Sequence, residues 1–145
     1  MIREYEEKDL EEVLSVWADA SELAHSFLSN EFLASERKSI SEIYLPNAET
    51  WVFEVDGCVV GFISLLGNEV GGFFVDPKRH GHGIGRALMD HAKELRENLE
   101  VEVFSANSIG RAFYDKYGFI LLEEKIHHQT GFDLLRLRLA VNKSL

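Results

Sequence analysis

The sequence predicts an α/β (α+β) chain, a mixed central sheet packed between helices on both faces. Three observations point to it. Two apolar runs flank Asp56-Gly57, a dipeptide suited to a two-residue hairpin, so the middle of the chain contains antiparallel sheet. After a third apolar run, Ile84, Ala87, Leu88, His91, Ala92 and Leu95 recur at helical spacing, and another strand-like run follows. Near the end, Leu135, Leu137 and Leu139 alternate with Arg136 and Arg138, as in a half-exposed strand.

The elements follow in order. Residues 2 to 5 form a short first strand. Asp9 opens a helix with Glu12 as its capping-box partner, and Leu10, Val13, Leu14, Trp17 and Ala24 form its apolar face. A second helix runs from about Asn30 to Tyr44, with Phe32, Leu33, Ile40 and Ile43 inward, and Leu45-Pro46-Asn47 ends it. Strands at 51 to 55 and 58 to 65 make the hairpin, and a third at 69 to 75 follows a turn at Gly67-Asn68. Next come a helix over 83 to 98, a strand over 99 to 104 and a short helix over 108 to 117. An antiparallel pair closes the chain, at 119 to 127 and 132 to 140. His127 and His128 are adjacent on the first of these strands and so face opposite ways.

The 145 residues suit one domain over 1–145, and 46% apolar content with ten Phe residues supplies a core without disulfides. No apolar run approaches the ~20 residues of a membrane helix, and the first residues lack a secretory h-region. The single cysteine, Cys58, excludes an intrachain disulfide and reads as a small buried strand residue. A cytoplasmic location is expected. The net charge of −10 disfavours nucleic acid and anionic membranes as partners and favours cationic ones. No metal-ligand spacing occurs, so no metal is expected.

Two segments carry chemistry. The first runs from Val75 to Arg86: a strand ends, Gly81, Gly83 and Gly85 punctuate a turn, and a helix begins. Free backbone N–H groups at a helix start, reinforced by the helix dipole, suit a diphosphate. The Rossmann spacing fails, because its third glycine falls on Arg86 or Leu88, and the Gly-Lys-Ser/Thr of a P-loop is absent. The second segment runs from Asn107 through Phe113-Tyr114 to Gly118-Phe119.

Together these segments resemble the GNAT superfamily of N-acetyltransferases, and the element order agrees over nearly the whole chain. The glycine segment is similar to that family's pyrophosphate loop, and the second to its Asn…Phe-Tyr…Gly-Phe signature. Two positions depart from the pattern. His80 stands where Arg or Gln is usual, and Gly110 where Ala is commoner; the latter is expected to weaken its helix start modestly.

The resemblance implies a GNAT-like sheet with a V-shaped splay between strands 4 and 5, and acetyl-CoA as cofactor. Phe73, Phe74 and Val75 would pair with the pantetheine arm. The loop His80, Gly81, His82, Gly83, Ile84 and Gly85 would hold the pyrophosphate with Arg86 nearby, and Asn107 would bond pantetheine. A neutral amine would attack the thioester carbonyl, polarised by backbone N–H groups near Phe74 and Val75, and Tyr114 would protonate the departing thiolate. The base is open among Glu69, Glu102, His25 and a water relay. His25 and Phe27 would line the acceptor site.

The expected activity is N-acetylation of a primary amine: peptidyl lysine, an N-terminus or a small cationic amine. The alternative is a catalytically silent acyl-CoA-binding module, against which Tyr114 and Asn107 argue. A monomer or a homodimer is expected.

Overall fold

The glycine loop and the Tyr114 helix sit on one seven-stranded sheet, ordered β1-β2-β3-β4-β5-β7-β6, in a computed structural model that describes residues 1–140. The strands are β1 (Ile2–Glu4), β2 (Glu49–Val55), β3 (Cys58–Leu66), β4 (Glu69–Val75), β5 (Asn98–Phe104), β6 (Ile120–Ile126) and β7 (Asp133–Ala140). The helices are α1 (Leu10–Ala24), α2 (Asn30–Ser39), the single turn α3 (Leu45–Asn47), α4 (Ile84–Leu95) and α5 (Ser108–Tyr117). Residues 141–145 of the predicted domain lie outside the described residues.

Pairing is antiparallel throughout except between β4 and β5. Those two strands meet only at Glu69↔Glu100 and Val70↔Val101, and then diverge. Against β3 the register jumps from Val70↔Leu65 to Gly72↔Ser64, so Gly71 is an extra, bulged residue. A bulge bends its strand and increases local twist, which accounts for the predicted splay. From Gly71 to Val75, one edge of β4 is left without a strand partner.

Two apolar clusters pack the sheet. Val13, Val16 and Trp17 of α1 meet Val52, Val59 and Phe62. Leu88, Met89 and Ala92 of α4 meet Ile63, Leu65, Leu99 and Val101. Among the described residues no helix is long and apolar enough to cross a membrane.

The structure corrects several local readings. Asp9 closes a 3-10 turn, Glu7–Asp9, and α1 begins at Leu10. The Asp9 carboxylate accepts from the backbone N–H of Glu6 at 2.9 Å and receives a bidentate pair of bonds from Arg3 at 2.8 and 2.9 Å. It is 3% exposed, and the Arg3 bonds hold its pKa below the usual value. Glu12 instead reaches β3, accepting from Val59 N–H at 2.7 Å. After α2 the chain takes one π turn, Ile40–Tyr44, with the Leu45 N–H bonded to the Ile40 carbonyl. The extra residue breaks the 3.6-residue period, so Ile43 turns outward, 59% exposed, and Leu45 takes the core position. Cys58 is exposed, because it sits at the hairpin mouth opposite Val55. His127 and His128 lie past the end of β6, in the turn to β7.

Candidate active site

Between the end of β4 and the start of α4 the loop bonds most of its own backbone N–H groups and leaves free those at the helix start. Asp76 accepts from Lys78 N–H at 3.0 Å and starts a short turn, Pro77–Arg79. Gly81 and Gly83 then take φ of 83° and 80°, the left-handed region that other residues enter at a cost of about 1–2 kcal/mol. A Cβ at either would meet nothing within 4 Å, so both face open space. The first helical bond of α4 runs from Ala87 N–H to the Gly83 carbonyl, leaving Ile84, Gly85 and Arg86 without intrahelical acceptors. Gly85 allows a close approach: a Cβ there would lie 3.4 Å from both Phe113 and Phe73.

This loop opens on a cleft of about 470 Å³. Phe73, Phe74 and Val75 form one wall, His80, Gly81, Gly83, Ile84, Gly85 and Arg86 the head, and Asn107 and Tyr114 the far end. His82 is exposed on the same loop and does not line the cleft. The His80 ring turns back to the strand, its Nε2 3.1 Å from the Val75 carbonyl oxygen. A carbonyl only accepts, so Nε2 carries a proton, and the ring ties the loop to the end of β4.

Asn107 caps α5, its Oδ1 accepting from Gly110 N–H at 2.9 Å. A Cβ on Gly110 would lie 2.7 Å from Asn107 Nδ2 and 3.1 Å from its Cγ. The glycine therefore leaves room for the Asn107 amide in this position. Asn107 Nδ2 lies 3.3 Å from His25 Nε2. An amide nitrogen only donates, so Nε2 accepts and the His25 ring is neutral with its proton on Nδ1. Burial agrees, depressing the His25 pKa to about 4. Tyr114 is 6% exposed and packs against Phe73, Phe113 and Phe119, with ring centroids at 6.2, 5.7 and 5.2 Å. Burial raises its pKa far above that of free tyrosine, so the phenol keeps its proton at neutral pH.

A second cleft, of about 220 Å³, opens where β4 and β5 diverge. His25, Glu36, Tyr44, Glu102, Phe104 and His127 line it. Phe73, Phe74, Asn107 and Tyr114 line both clefts, so the two adjoin along these four residues. Phe27 lines neither; it backs the second, edge-on to His25 at 5.9 Å and Phe104 at 5.6 Å. Glu69 also lines neither, and pairs with Arg136 at 2.6 Å. Arg136 gathers Glu100 at 2.7 Å and Glu102 at 3.4 Å as well, and Glu102 also pairs with Lys125. Arg136, Glu36 and Tyr44 were not anticipated from the sequence. Setting the Glu-Val-Glu-Val run of β5 against the Leu-Arg-Leu-Arg run of β7, as in the observed Glu102↔Arg136 register, would have exposed the first.

Comparison with known proteins decides the family. The profile of the acetyltransferase (GNAT) domain matches residues 46–121, which span the bulged strand, the glycine loop and the Tyr114 helix. The chain is a GNAT acetyltransferase. It is 32% identical over 124 residues to the peptidyl-lysine N-acetyltransferase YiaC of Escherichia coli K12, covering 85% of each chain. It is 34% identical over 119 residues to the peptidyl-lysine N-acetyltransferase YjaB of Salmonella typhimurium LT2, covering 81% of each. The solution structure of apo YjaB from Escherichia coli superposes with a TM-score of 0.85 at 29% identity, over 95% of both chains.

Membership of the family makes the chain an acetyl-CoA-dependent N-acetyltransferase. The residues present fit that cosubstrate. The free N–H groups of α4 suit its diphosphate, the unpaired edge of β4 suits the amides of pantetheine, and the open space over Gly81 and Gly83 admits both.

Proposed function

We propose that residues 1–145 form one cytoplasmic domain that acetylates the side-chain amine of lysine in peptides or proteins. One observation carries the reading: the buried Tyr114 is among the four residues that line both the cleft at the glycine loop and the cleft between β4 and β5. The names of the two relatives supply the substrate class.

Bound acetyl-CoA supplies a thioester carbonyl and a thiolate leaving group. The chain does the rest. His80 ties the loop to β4, and the N–H groups of Ile84, Gly85 and Arg86 bind the diphosphate. The unpaired edge of Phe73, Phe74 and Val75 orients pantetheine and polarises the carbonyl. Asn107, fixed by Gly110 and His25, keeps a second Nδ2 hydrogen for the pantetheine arm. Tyr114 holds its proton until a thiolate takes it. Of the three proposed bases, Glu102 keeps the role, through water. Glu69 reaches neither cleft, and His25 already gives its Nε2 lone pair to Asn107.

The test is a thiol-release assay with lysine peptides, N-terminal peptides and polyamines, the product mapped by mass spectrometry. Acetyl on the lysine Nε at a higher kcat/KM than on the other amines is expected. Turnover confined to N-termini or polyamines would overturn the substrate class, and no turnover with any amine would favour a silent acyl-CoA-binding module.

A further inference from the structure

Within the acceptor cleft one charged group stands apart. Glu36, on α2 and half-buried, lines the cavity with Phe32, Tyr44 and Phe104. The other titratable groups there are partnered or neutral. Glu102 is held by Arg136 and Lys125, and His25 bonds Asn107. His127 Nδ1 lies 2.9 Å from the Thr130 hydroxyl, and burial raises the pKa of the Tyr44 and Tyr114 phenols. Among the described residues, Glu36 makes no ion pair and its carboxylate accepts no hydrogen bond. Burial also pushes its pKa up, with no cation to offset the desolvation. A carboxylate desolvated without a partner is destabilised, and an arriving cation relieves that penalty. The surrounding aromatic faces favour the same charge.

We propose that Glu36 selects the charge of the acceptor, its carboxylate receiving the alkylammonium of a lysine side chain or similar amine in the cavity walled by Phe32, Tyr44 and Phe104. The assignment rests on the amine-acetylation reading and deepens it. The bond is to the charged amine, which must lose a proton before it attacks. Removing the bond therefore weakens binding, and shows in KM rather than in kcat.

The experiment compares Glu36→Gln and Glu36→Lys with the unaltered protein on two acceptors, a lysine peptide and the same peptide with 4-aminophenylalanine, which is neutral near pH 7.5. In Glu36→Gln the lysine peptide KM is expected to rise about tenfold or more, with kcat within about threefold. The neutral acceptor keeps its KM, Glu36→Lys widens the gap, and acetyl-CoA titration is unchanged in both variants. An unchanged lysine KM, or equal shifts for both acceptors, would overturn the proposal. If the unaltered protein acetylates only small alkylamines, the peptide reading falls, and the same KM ratio with an alkylamine decides for or against Glu36.

Discussion

The clefts proposed for cofactor and acceptor share Phe73, Phe74, Asn107 and Tyr114, yet they are built in opposite ways. The first is mostly backbone: a strand edge, two left-handed glycines and free helix N–H groups, most of them between residues 73 and 86. The second is mostly side chains, from Trp17 on α1 to Leu134 on β7, brought together only by the fold. Backbone recognition resists side-chain change except where a Cβ intrudes. Side-chain recognition can be retuned one residue at a time, which suits the half that meets the variable substrate.

A side chain added to the backbone half should therefore abolish cofactor binding altogether. At a hundredfold excess over its dissociation constant, acetyl-CoA should stabilise the unaltered protein by about 2.7 kcal/mol. Gly83→Asp adds left-handed strain and a negative charge beside the diphosphate site, and thermal denaturation should show that stabilisation abolished. Full retention would move the phosphate site elsewhere.

Next is His25, in the side-chain half. Its folded pKa of about 4 lies below the ordinary 6.5, so the fold favours the neutral ring. That contribution is complete above pH 6.5 and is lost as pH falls toward 4, at most about 3 kcal/mol. Chemical denaturation of His25→Gln should show a flatter loss of stability over that interval. Parallel curves for the two proteins would contradict a buried neutral ring.

Gly110→Ala tests the seam. The added Cβ displaces Asn107, with a loss of about 1–2 kcal/mol in denaturation and a higher KM for acetyl-CoA. A neutral outcome would mean that the cap is dispensable. The smallest effect belongs to His80→Ala, which frees the loop from the Val75 carbonyl and should weaken CoA binding by severalfold, about 1 kcal/mol. A loss as large as that in Gly83→Asp would indicate direct phosphate contact.

The same contrast explains what could be read from the sequence. The hairpin at Asp56-Gly57, the glycine loop and the Asn107–Phe119 segment are local patterns, and each fell where expected. The splay followed from resemblance, but its cause, the Gly71 bulge, appears only once β3 and β4 are in register. The period of α2 failed at the π turn, because packing of Leu45 overrode the helical repeat. Glu36 carried no signal in the sequence, and Glu69 and Glu102 were candidate bases. Only the pairing of β5 with β7 places Arg136 among the carboxylates and leaves Glu36 alone.

The central claim, that the two halves meet at the Tyr114 phenol as an acid, is tested most directly by Tyr114→Phe, which removes one hydroxyl and keeps the ring. Steady-state kinetics beside a CoA titration should show kcat lower by about a hundredfold, with CoA affinity nearly unchanged. Near-normal kcat would contradict the acid role, and a collapse of CoA affinity with kcat intact at saturation would make Tyr114 a cofactor-positioning residue instead.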